Sequence, residues 1–260
     1  IISPEAMEDI IANISSPVEM AALLKATGVP FSQKYLCPTD NFDEYNTNFK
    51  KALNLGIFGA DLGYLNMYNK TGTVISNLQA IKTLADDLHI GHFFDFSTIK
   101  RLAMNSENLD SLSYISVASF NNMDEYLRDN NRSNISSLIV TGVLIEALYI
   151  ATQVVEEAPD NPEVIERIGE QKLILNDLIL ILKNYKSNRR FYDLITDVEK
   201  IKDAFKPVTI TYIPGEPETK EVNGMLMIVQ NTTSQVTVPD ETLKEIIDII
   251  EEVRNKLIQL

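Results

Sequence analysis

Two acid–tyrosine pairs are the residues in this chain best suited to do chemistry: Asp61 with Tyr64, and Glu146 with Tyr149. A three-residue spacing puts each pair on one face of a helix. Where two such helices meet, two carboxylates and two phenols converge. Paired carboxylates hold a cation or share a proton, and one of the two then has a raised pKa. The competing reading leaves each acid on the wet edge of its helix, or tied to its own tyrosine in the core. The only histidines lie in Asp86-Asp87-Leu88-His89-Ile90-Gly91-His92, with Asp95 close behind. A helical Asp-x-x-His is half of a carboxylate-bridged di-metal site, but that plan needs the unit twice and the sequence holds it once. Gly91 also separates the histidines. His89 therefore reads as a basic residue at a helix C-terminus, and no metal ligand is assigned.

Nucleophilic and phosphate chemistry find little footing. There is no Gly-x-Ser-x-Gly elbow and no phosphate-cradling glycine motif. Cys37, the one cysteine, precedes a proline in a predicted loop and reads as unactivated. No catalytic residue and no cofactor is assigned.

The acid pairs must be positioned by two long apolar stretches. Phe42 to Tyr68 is predicted as one helix carrying Gly56, Gly59 and Gly63, and Ile135 to Val155 as another carrying Gly142. Each glycine inside a helix costs about 1 kcal/mol relative to alanine. Spacings of three and four put the first three on one face, where a backbone or a ligand can come close. The predicted ligand-binding set is Asp61, Tyr64, Glu146, Tyr149, Gly59, Gly63 and Gly142. The second stretch is apolar enough to suggest a membrane span, but Glu146 at its centre would cost about 2.5 kcal/mol or more in a bilayer. With no basic flank, it is expected to be a buried bundle helix.

The remaining elements follow from caps and periodicity. Ser3-Pro4-Glu5 and Ser16-Pro17-Val18-Glu19 are helix starts, and Gly28-Val29-Pro30 stops the second of these helices. An amphipathic helix after Gly72 is expected to end at Gly91, and Ser97 to cap a short helix through Met104. Further helices are predicted over Leu109–Asp129, Glu163–Tyr185 and Phe191–Phe205. Leu173 to Leu182 reads as core, and Asp129 to Asn134 as a turn. Phe93, Phe94 and Phe96 read as a plug below a helix end. Val208 to Tyr212 and Met225 to Val229 alternate as strands, with a third at Gln235–Val238. Pro214-Gly215-Glu216-Pro217 is read as a turn, and Asn223-Gly224 as a hairpin signal. Helical period returns from Pro239 to Leu257.

The fold class is therefore mainly α: a multi-helix bundle over residues 1–260 as a single domain, with a small β-hairpin insert at 207–238 before the C-terminal helix. Gly59–Leu65 and Gly142–Leu148 align in apolar register, which suggests two related helical halves. The net charge of −14 is spread along the whole chain without a basic run, so nucleic acid is not an expected partner. A single cysteine allows neither an intrachain disulfide nor a thiolate zinc cage.

The stretches Gly59-Ala60-Asp61-Leu62-Gly63-Tyr64 and Thr141-Gly142-Val143-Leu144-Ile145-Glu146-Ala147-Leu148-Tyr149-Ile150-Ala151-Thr152 together resemble an uncharacterised family of helical proteins of the Gram-negative bacterial envelope. Its members are often secreted or lipid-anchored. The resemblance implies a periplasmic or outer-membrane-anchored location, with a lipid anchor on a segment ahead of Ile1; the alternative is the cytoplasm. It implies no activity. The expectation is a non-enzymatic binding or interaction protein for an unknown small molecule or protein partner. The alternatives are a metal-dependent hydrolase built on the same carboxylates or on His89 and His92, and a structural or sensory module docking a partner through the β insert.

Overall fold

Residues 23–40, 42–222 and 225–259 are described by the computed structural model. After a helical turn at 23–26, the described residues ahead of the ribbon hold α1 (Asn48–Met67), α2 (Thr71–Asp87), α3 (Phe96–Ala103), α4 (Leu109–Asp129), α5 (Ser133–Glu157), α6 (Pro162–Lys183) and α7 (Arg189–Ala204). A ribbon of β1 (Thr209–Val222) and β2 (Met225–Thr237) follows, and then α8 (Asp240–Leu257). The protein is mainly α, with an antiparallel hairpin ahead of its C-terminal helix. The predicted helix starts at Ser3 and Ser16, and the Asn223-Gly224 signal, lie outside the described residues.

Local chemistry sets the boundaries and moves several of them. The predicted helix from Phe42 is divided. A 3-10 turn covers Phe42–Glu44, and α1 starts only where the Thr47 hydroxyl accepts the Lys50 N–H. Asp95, and not Ser97, caps α3 by accepting the Thr98 N–H at 3.1 Å. A carboxylate at that position also complements the helix dipole. α2 ends at Asp87, ahead of the expected Gly91, because His89 itself takes the left-handed turn at φ 59°. At Gly91 a Cβ would lie 1.9 Å from the Asp86 carboxylate, a side-chain tip that can swing aside. Asn161 caps α6, with Pro162 at its first position.

α5 is long and apolar enough to cross a membrane by length and composition, and most of it is buried among the other helices. Several of its hydroxyls are satisfied within the helix. The hydroxyls of Ser137, Thr141 and Thr152 donate to the carbonyls of Ser133, Ser137 and Tyr149 at 2.7–2.8 Å. Buried side chains from α1 to α8 merge into one apolar core. The Leu173–Leu182 run of α6 is not uniformly core: Leu173 and Leu180 face solvent, seven residues apart on one stripe.

The β ribbon is longer and simpler than the sequence implies. Pro214–Pro217 is a bulge within β1, visible as a register shift, and Gln235–Thr237 continues β2 without forming a third strand. Its base sits on α6, where a Cβ at Gly169 would come within 2.6 Å of Val236 and 2.8 Å of Val238. Lys172 ties the same corner by donating to the carbonyls of Lys206 and Val208.

Candidate functional site

α1 and α5 make the most extensive helix–helix contact among the described residues, and glycine makes it possible. A Cβ on Gly56 would lie 2.0 Å from the Ile139 carbonyl oxygen, and one on Gly142 would lie 2.0 Å from that of Leu53. No side chain fits at either point. Gly142 meets Leu53 and Ile57, and further along Glu146 meets Asp61, so both helices advance in the same direction.

On one flank of this crossing the two acids come together. Asp61 and Glu146 are completely buried, and Arg254 from α8 is nearly so. The guanidinium grips Glu146 with a bidentate pair, Nε to Oε2 at 2.8 Å and Nη2 to Oε1 at 2.7 Å. It also lies 4.4 Å from the centre of the Tyr149 ring, and its Nη2 donates to the Tyr35 carbonyl. Asp61 Oδ2 accepts the Cys37 N–H at 3.0 Å. Burial, reinforced by the negative charge of Glu146, pushes the Asp61 carboxyl well above the usual carboxylate range, against the opposing pull of the Cys37 N–H and Arg254. Burial also pushes the Cys37 thiol up, helped by both carboxylates; the nearby Arg254 does not offset them. For Arg254 burial acts downward, but the hydrogen bonds and charge of Glu146 outweigh it and keep the guanidinium charged.

On the other flank lies a partly open cavity of about 260 Å³. Gly59 and Gly63 form part of its wall, and nothing stands within 4 Å of the place where a Cβ on either would be. The opposite walls come from Val143 and Ala147 of α5 and from Leu112, Val117 and Phe120 of α4. Polar groups are few: Ser113, Ser116, the Tyr64 phenol, and Arg167 with Gln171 of α6. The lining runs from Leu55 to Met67 along α1, about 18 Å at the helical rise.

The predicted residues thus divide between two places. Asp61, Glu146 and Tyr149 belong to the sealed charge cluster, and Gly142 to the helix contact itself. Gly59, Gly63 and Tyr64 belong to the cavity. Tyr64 turns away from the acids: its oxygen accepts the Ser32 N–H at 3.0 Å and its ring stacks on Phe31. Burial pushes its phenol up to about 12, with the Ser32 N–H acting in the opposite sense. Arg254, Cys37 and Tyr35 are the participants that sequence reasoning missed. Arg254 left one trace: it stands four residues after Ile250 on the apolar stripe of α8, where a lone arginine signals a buried acid. Among the described residues, no three His, Cys, Asp or Glu side chains cluster as metal ligands. His92 instead packs against Phe93 and Tyr126. Comparison with family models, curated proteins and solved structures gives no match.

Proposed function

We propose that this protein is a non-enzymatic binding protein that takes one hydrocarbon chain into the cavity between α1, α4 and α5. The observation that carries this reading is the pair Gly59 and Gly63. Each costs about 1 kcal/mol within a helix, yet neither is required by packing inside the chain. Both open onto a largely apolar space that runs along α1. Its volume lies just below the roughly 300–1,000 Å³ of typical small-molecule sites. A single hydrocarbon chain matches an apolar lining that follows one helix for about 18 Å. The carboxylates serve the reading indirectly, because the Asp61–Glu146–Arg254 cluster locks the helix pair that forms the wall.

The envelope location implied by the sequence resemblance is part of the same proposal, since membranes are the source of single-chain amphiphiles. The test is displacement of an environment-sensitive fluorescent fatty acid by unlabelled decanoate. Gly59→Leu projects a side chain into the cavity and is expected to fold normally and bind neither compound. Unimpaired binding by that variant would move the ligand elsewhere, and absence of binding by the parent protein would end the proposal.

A further inference from the structure

Four groups meet at the sealed flank of the crossing, and their hydrogen bonds do not balance if both acids are ionised. Glu146 offers two oxygens, and both accept from Arg254. Asp61 offers two, of which Oδ2 accepts the Cys37 N–H. Oδ1 is buried and finds no donor, and the two carboxyls are brought to one point by Arg254, which bonds Glu146 and the Tyr35 carbonyl, and by the Cys37 N–H two residues on, which bonds Asp61. Two carboxylates cannot hydrogen-bond to each other without a proton between them. The charges agree: one guanidinium faces two acids at zero exposure, and a second uncompensated negative charge there is strongly disfavoured.

We propose that Asp61 and Glu146 hold one proton between them, residing on Asp61 Oδ1, and that this proton is a latch keeping the segment from Val29 to Asp40 closed on the helix crossing. With the proton in place the cluster is neutral overall: a protonated Asp61 donates to Glu146, and Glu146 pairs with Arg254. The closed segment is held by two polar ties to this cluster, the Cys37 N–H to Asp61 and the Tyr35 carbonyl to Arg254. Loss of the proton puts two adjacent negative charges in a sealed space, and opening the segment is the route by which water reaches them. The titratable and charged groups facing the pair are Arg254 from α8 and Cys37 from the segment, with Tyr45 beyond Cys37 and Tyr149 on Arg254. The phenols and the thiol are neutral at pH 7, so none supplies a compensating charge. The latch stands apart from the cavity reading, and either can hold without the other.

Infrared spectroscopy of the whole protein tests the proton directly. The parent protein is expected to show the C=O stretch of a buried protonated carboxyl at neutral pH, and Asp61→Asn to lack it. Asparagine keeps an acceptor for the Cys37 N–H and a donor for Glu146, so this variant is expected to fold. Should it fail to, Glu146→Gln serves instead: Asp61 then pairs with Arg254, ionises and loses the band. The latch is read from the labelling rate of Cys37 by a thiol reagent, as the parent-to-Asp61→Asn ratio at each pH. That ratio is expected to rise at least tenfold where the band disappears. Absence of the band from the parent at neutral pH, or its survival in Asp61→Asn, overturns the shared proton. A ratio that stays flat with pH overturns the latch.

Discussion

Replacing Gly142 with alanine adds one methyl group where α5 touches α1, and the same change at Gly59 adds one where nothing is near. The first new Cβ would sit 2.0 Å from the Leu53 carbonyl oxygen and 3.1 Å from the Ile57 nitrogen. Close C···O contacts in proteins lie at roughly 3.3–3.6 Å, so the two backbones must separate by more than an ångström. A backbone carbonyl cannot swing aside as a side-chain tip does. Overpacking of this kind costs about 3 kcal/mol or more, against about 1 kcal/mol gained from the helix propensity of alanine. The net loss is about 2 kcal/mol, which for a chain of 260 residues lowers Tm by roughly 4 °C. Gly59→Ala keeps only the gain, about 1 kcal/mol and roughly 2 °C upward. Thermal denaturation followed by circular dichroism at one pH and one salt concentration compares the two. A Gly142→Ala protein that melts at or above the parent, or a Gly59→Ala protein that melts below it, would show that the glycines are not divided between contact and cavity.

Removing Arg254 leaves Glu146 buried and unpaired, so Arg254→Met is expected to cost about 3–5 kcal/mol in urea unfolding. Adding Glu146→Leu to it should recover most of that loss, and strictly additive losses would contradict the ion pair. The pH dependence of stability carries its own signature. Asp61 holds its proton in the folded protein above the pH at which the unfolded chain releases it. Its contribution is therefore fully present below about pH 4 and is lost as pH rises towards the folded value, at about 1.4 kcal/mol per pH unit. Asp61→Asn is expected to remove that slope, and a slope identical to the parent's between about pH 5 and 7 would contradict it.

Much of this architecture is legible in the residues, and the exceptions have physical causes. α4 matches its predicted span because its turns and apolar spacing are local features. The start of α1 is displaced because capping by Thr47 competes with a helix pattern that continues upstream. The end of α2 is displaced because His89 adopts a conformation usually left to glycine. At the site, the glycine spacing correctly marks one helix face, but only the neighbouring chain decides which glycine meets a backbone and which meets open space. The acid–tyrosine spacing likewise marks Asp61 and Glu146 without revealing Arg254, which lies 108 residues beyond Glu146 in sequence. Long-range pairing of this kind has no local periodicity to betray it.

The proposal that the flank carrying Gly59 and Gly63 receives a hydrocarbon chain is tested most directly by isothermal titration with straight-chain fatty acids of increasing length. Each added methylene that enters the cavity is expected to strengthen binding by about 0.8 kcal/mol, until the space is filled and the gain stops. The heat-capacity change should be negative at a stoichiometry of one. Binding heats absent at every length, or affinity indifferent to chain length, would contradict the account.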